Sequence, residues 1–171
     1  ELALSYDPQL SRIALSRLVV ESPSLRLNAQ GHGYLLDDRG KPAAVGSVPA
    51  QVLGQLAFSD VRVDPAGLFV EPVRFGSGAM DVRLSLDPFR LDLGQLSLTE
   101  GDTRLHLKGT MAADAAGWSG GLDVALNRIT AERLFKLWPV AAVPRTRVWL
   151  VENVQNGLLF DVKAALRLLP G

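Results

Sequence analysis

Cysteine is missing from the 171 residues, which removes disulfides, thiolate metal sites and cysteine nucleophiles together. Its absence fits an oxidising compartment, where stray thiols would pair. Charge of one sign is also missing, since 18 Lys and Arg balance 18 Asp and Glu. A chain without a basic surplus lacks the electrostatic footprint of a phosphate-backbone binder, so no nucleic-acid partner is expected. No apolar run approaches the roughly 20 residues that cross a bilayer, and nothing reads as a signal peptide. The chain opens on Glu1, not Met. The expectation is one β-rich domain over residues 1–171, excised from a larger protein whose targeting and anchoring parts lie elsewhere.

What is present is period two. Leu25, Leu27 and Ala29 alternate with polar neighbours, as do Val82, Leu84 and Leu86 with Asp81, Arg83, Ser85 and Asp87. Phe89, Leu91 and Leu93 follow, then Leu96 and Leu98, Leu105 and Leu107, and Leu122, Val124 and Leu126. Successive strand side chains face opposite ways, so each stretch gives a strand with one apolar and one wet face. Around Leu56, Phe58, Val61 and Val63 the apolar parity slips by one residue, which predicts a β-bulge near Ser59-Asp60.

Turn chemistry separates these runs. Asp37-Asp38-Arg39-Gly40, Asp64-Pro65-Ala66-Gly67 and Asp114-Ala115-Ala116-Gly117 read as hairpin turns, and Glu100-Gly101-Asp102 closes another strand. The pattern changes after Ile129. Thr130 is placed to cap a short helix over Ala131–Leu137, with Leu134, Leu137 and Trp138 as its apolar stripe and Pro139 as its stop. Pro144 suits the first position of a second helix running to about Gln155, which Asn156-Gly157 would end in a left-handed turn. Residues 130–157 thus form a helical pair, and a last strand follows at Leu158, Phe160 and Val162. Together these predict a mainly β, antiparallel, strongly curved sheet of about ten strands, either an open groove or a sandwich.

Catalytic chemistry finds little to stand on. His32 and His106 are the only histidines, and neither has another ligand at metal-site spacing. Phe75-Gly76-Ser77-Gly78 departs from the nucleophile-elbow pattern and reads as a turn, and no phosphate loop is present. Asp81, Asp87 and Asp92 lie on the polar side of their strands. No enzyme activity, metal or cofactor is expected. Trp138 and Trp149 are expected to pack the helices onto the sheet, and Trp118 to start a strand.

Covering area points further. Ten strands of about six residues present a face of about 950 Å², whereas two ten-residue helices cover about 300 Å². Either the sheet packs on itself, or it stays open and shelters an apolar ligand.

The C-terminal quarter carries a more specific pattern. Leu137-Trp138-Pro139 is followed by Arg147-x-Trp149-Leu150-x-x-Asn153-x-x-x-Gly157. This arrangement resembles the central region of AsmA-like envelope proteins of the YhdP type, relatives of TamB. The upstream strands, with Leu84-Ser85-Leu86 and Leu105-His106-Leu107-Lys108-Gly109, are similar in style to that family's β region. The resemblance implies a periplasmic β groove in a Gram-negative bacterium, tethered to the inner membrane through parts not present here. It implies transport of phospholipid towards the outer membrane, with acyl chains and adjacent β segments of the same protein as partners. Candidate lining residues are Val82, Leu84, Leu86, Phe89, Leu91, Leu93, Leu96, Leu98, Leu105 and Leu107. Trp138, Pro139, Arg147, Trp149, Asn153 and Gly157 match the motif and are expected to close the helical pair. The competing expectation is a scaffold or assembly factor for outer-membrane biogenesis, working through its strand edges.

Overall fold

The computed structural model describes residues 1–154 and 156–169. Nine strands form one antiparallel sheet in strict chain order: β1 (Leu2–Asp7), β2 (Arg12–Glu21), β3 (Leu25–Leu36), β4 (Gln51–Val63), β5 (Val73–Ser85), β6 (Arg90–Glu100), β7 (Thr103–Asp114), β8 (Gly117–Thr130) and β9 (Leu158–Leu168). β1 and β9 are the free edges, so the sheet is open and not closed into a barrel. Helices α1 (Ala131–Leu137) and α2 (Pro144–Asn153) fill the connection between β8 and β9. Among the described residues no helix is long and apolar enough to cross a membrane.

The expected turns are present. Asp37 Oδ1 accepts the N–H groups of Arg39 and Lys41, and Asp114 Oδ1 accepts that of Ala116. Gly40, Gly67, Gly101 and Gly117 all take positive φ, which glycine adopts without a Cβ penalty. Two expectations fail here. Phe75-Gly76-Ser77-Gly78 is not a turn but lies inside β5, opposite Ser59 and Val61 of β4. Strands β2 to β9 are also longer than six residues, at 10 to 14 each.

The bulge at Ser59-Asp60 is real. Asp60 has φ 53°, and the register against β3 shifts between Arg26 and Asn28. Aspartate tolerates this left-handed conformation better than a branched residue would. The extra residue moves the buried parity from Phe58 to Val61. β9 repeats the device: Asp161 has φ 52°, and the inward set changes from Val162 to Leu159.

Burial concentrates at one end of the strands. Val61, Val73, Phe75 and Leu98 form one buried cluster, and Leu126, Ile129 and Leu134 the other. α1 seals this end. Thr130 Oγ1 accepts the N–H of Arg133 at 3.3 Å, as a helix N-cap should. Leu134 and Leu137 then turn onto the sheet, with Trp138 packed alongside. Arg133 Nη1 donates to the Glu100 carbonyl, and Lys136 Nζ lies 2.9 Å from Glu71 Oε1 in the β4–β5 loop.

α2 behaves differently from expectation. None of its residues is buried, and Trp149 is 59 % exposed instead of packing on the sheet. Arg147 explains why. Its guanidinium donates to the Phe135 carbonyl, fixing that side of α2 towards α1. At about 100° per residue, Trp149 then faces roughly the opposite way. Gly157 is not in the left-handed region either; its carbonyl oxygen accepts the N–H of Ala131 at 2.9 Å, joining the two ends of the insertion. Gln155, the expected end of α2, lies outside the described residues, and the helix stops at Asn153.

Candidate functional site

Residues directly opposite in adjacent antiparallel strands project to the same face. Following the register across the sheet therefore assembles one face row by row. The first row runs Leu2, Leu18, Ala29, Phe58, Gly78, Leu98, Leu105, Leu126, Val162. The second runs Leu4, Leu15, Gly31, Leu56, Met80, Leu96, Leu107, Val124, Ala164. The third is Tyr6, Ile13, Gly33, Gly54, Val82, Leu93, Gly109, Leu122, Leu166. A fourth spans β3 to β9 as Leu35, Val52, Leu84, Leu91, Met111, Gly120, Leu168.

No charged residue enters these four rows, and register shifts preserve them. Between Leu93 and Leu96 the chain spends an extra residue, and the apolar side chains stay on the same face across the slip. Gly31 and Gly109 serve the same surface. A Cβ on Gly31 would collide with the Gln55 carbonyl oxygen, and one on Gly109 with that of Gly121.

The opposite face is polar. His32 Nε2 pairs with Gln55 Oε1 at 3.0 Å, and Gln55 Nε2 donates to Asp81 at 3.2 Å. Arg90 chelates Asp92, whose hydrogen bond and charge hold the guanidinium above its usual range. Arg167 pairs with Asp123. Ser97 Oγ and His106 Nδ1 stand 2.9 Å apart, but among the described residues no carboxylate orients the other ring nitrogen. Nor do three potential metal-ligating side chains gather anywhere among them.

Eight of the ten lining residues expected from the sequence occupy the apolar rows: Val82, Leu84, Leu91, Leu93, Leu96, Leu98, Leu105 and Leu107. Leu98, at 9 % exposure, packs within the sealed end, and Leu105 beside it. Leu86 and Phe89 lie beyond the strands, in the β5–β6 turn; Phe89 meets Trp118 edge to face at 5.5 Å. The sequence reading missed the same face on β1, β2 and β9, where Leu2, Leu4, Leu15 and Leu166 complete the rows. Alternation in Leu2-Ala3-Leu4-Ser5-Tyr6 was the available signal.

Away from the sealed end, no helix among the described residues lies over this face. The nine strands set a width of about 38 Å, and four rows span about seven residues, or roughly 23 Å. The resulting face is about 900 Å², against about 100 Å² covered by a seven-residue helix such as α1. On it lies an apolar depression of about 330 Å³ between Leu91, Leu93, Met111, Leu122, Leu166 and Leu168, with Thr110 and Arg167 also at its lining. Comparison of the chain with protein-family models, curated proteins and solved structures gives no match.

Proposed function

We propose that this chain is a segment of a periplasmic AsmA-like protein of the YhdP type, and that its apolar face carries phospholipid acyl chains between the inner and outer membranes. One observation carries the reading: four apolar rows cross the sheet without a charge, and beyond the first, which α1 seals, no helix among the described residues lies over them. Exposed apolar areas beyond a few hundred Å² mark binding surfaces, and this one far exceeds what α1 occupies. Each methylene buried there gains about 0.8 kcal/mol without any base, metal or nucleophile. Contacts of that kind have no direction, so a chain held by them slides from row to row. The Leu137-Trp138-Pro139 and Arg147-x-Trp149 motif adds the family resemblance.

A scaffold role is the second reading, favoured by the two free edges at β1 and β9. An exposed edge offers unpaired N–H and C=O groups to a further strand. On either reading the neighbours are β segments of the same protein.

Native mass spectrometry of protein purified from bacterial membranes, followed by lipid extraction, separates the two. Bound phospholipid is expected, and it should be lost when Leu84 and Leu91 are both changed to Asp in a protein that still folds. Lipid-free protein, even with the neighbouring strands of the parent restored, would leave the scaffold reading.

A further inference from the structure

We infer that the polar face of the sheet is a docking surface for the acidic strand-end turns of a second copy of this chain. The formal charge of zero hides a separation of unpaired charge. Among the described residues, the strand cations Arg12, Arg74, Arg83, Arg104, Lys108 and Lys163 make no ion pair. All of them alternate with inward-facing residues and so lie on the polar face. Carboxylates that could answer them there are already engaged. Asp92, opposite Arg83, is held by Arg90 at 2.7 Å, and Asp123, opposite Lys108, by Arg167 at 2.6 Å. The unpaired carboxylates stand elsewhere. Asp7, Asp37, Asp38, Asp87 and Asp114 mark the four turns at the end of the sheet away from α1, where they outnumber Arg39 and Lys41, and none of them makes an ion pair.

The two sets share a spacing. Those turns join β1 to β2, β3 to β4, β5 to β6 and β7 to β8, so their carboxylates recur every second strand, about 9.6 Å apart. Arg83, Lys108 and Lys163 also recur every second strand, on β5, β7 and β9, each two residues nearer the sealed end than the last. That diagonal has a step of about 12 Å, and long exposed side chains absorb the difference. The strip of contact is about 38 Å by 10 Å, below the roughly 800 Å² that each partner of a stable complex buries, so the association is transient. It is also heterologous. Every copy keeps a free face and free turns, so the contact extends into open chains and does not stop at a dimer. Neither the lipid nor the scaffold reading is needed for it.

Sedimentation velocity on the intact chain tests this. At about 0.01 M salt, where the screening length is roughly 30 Å, the weight-average mass should climb above 18.4 kDa with concentration. At about 1 M, where that length is roughly 3 Å, the chain should return to monomer. Arg83→Glu with Lys108→Glu should abolish the rise, as should Asp38→Lys with Asp87→Lys, all at exposed positions. Arg39→Glu with Lys41→Glu shifts the net charge as far as the first pair but leaves the face intact, so association should persist. A monomer at both salts overturns the inference. So does association that survives high salt, which pairing of the apolar faces would produce. Loss of association in the Arg39 and Lys41 variant overturns it as well, because net charge alone would then be the cause. A chain that stays monomeric yet binds poly-L-glutamate or phosphatidylglycerol vesicles through Arg83 and Lys108 gives the face to another anionic partner, and the second copy is excluded.

Discussion

Lys136 Nζ sits 2.9 Å from the Glu71 carboxylate and 3.1 Å from that of Glu132, so one ammonium ties α1 to the β4–β5 loop. The hydrogen bond to Glu71, then that to Glu132, holds the lysine above its usual value of 10.5. A raised lysine value means that the tie is at full strength below that pH and is lost as pH rises through the folded-state value. Changing Lys136 to Met should lower the melting temperature modestly at neutral pH, because the group is exposed and solvent screens it. The wild-type and variant melting temperatures should converge only as pH rises past the raised folded-state value, which lies above 10.5. A gap that persists there would mean that the ammonium contributes nothing to the seal.

Ile129, at 1 % exposure, is the most deeply buried large side chain of the described residues, packed with Leu126 and Leu134 under α1. Ile129→Ala should cost about 2–5 kcal/mol in urea unfolding, since the surrounding sheet cannot collapse onto the void. A loss under about 1 kcal/mol would place the core elsewhere.

Trp149 offers the opposite case. Exposed on a helix with no buried residue, it should accept Ser with a stability change within about 0.5 kcal/mol. Trp138 should not. Its indole N–H donates to the Ala142 carbonyl at 2.6 Å and its ring packs on the second cluster. Urea titrations of Trp149→Ser and Trp138→Ala, run side by side, check the contrast.

Gly31 and Gly54 separate two kinds of glycine on the apolar face. A Cβ at Gly31 meets the Gln55 carbonyl, whereas one at Gly54 meets the tip of Val82 at 3.2 Å. Ala at 31 must move backbone, so it should destabilise clearly more than Ala at 54, where a side chain can give way. Thermal melts of the two variants that coincide would contradict this.

The strand parity was legible wherever Leu and Val alternate with charge, as in Val82 to Asp87 and Leu105 to Lys108. The bulge at Asp60, the Thr130 cap and the Pro139 stop were legible too, because each rests on local chemistry. Glycine hid the rest. Gly76 and Gly78 break β5 into what reads as a turn, yet both lie within the strand, Gly78 paired with Phe58 and Leu98, and they spare room for Glu100 and Leu98 of β6. Strand length was therefore underestimated, and with it the area left uncovered. Trp149 could not be placed from sequence, because its direction depends on the tertiary bond from Arg147 to Phe135.

Face-resolved crosslinking to lipid tests the central claim most directly. A photoreactive residue placed in turn at Leu91, Asp92, Leu93, Lys108, Leu122 and Asp123, then activated in bacterial envelopes, reports what touches each face. Phospholipid adducts are expected at Leu91, Leu93 and Leu122, with none at Asp92, Lys108 or Asp123, reproducing the period of two that register imposes. Adducts on both faces alike, or on neither, would contradict an apolar face that carries lipid.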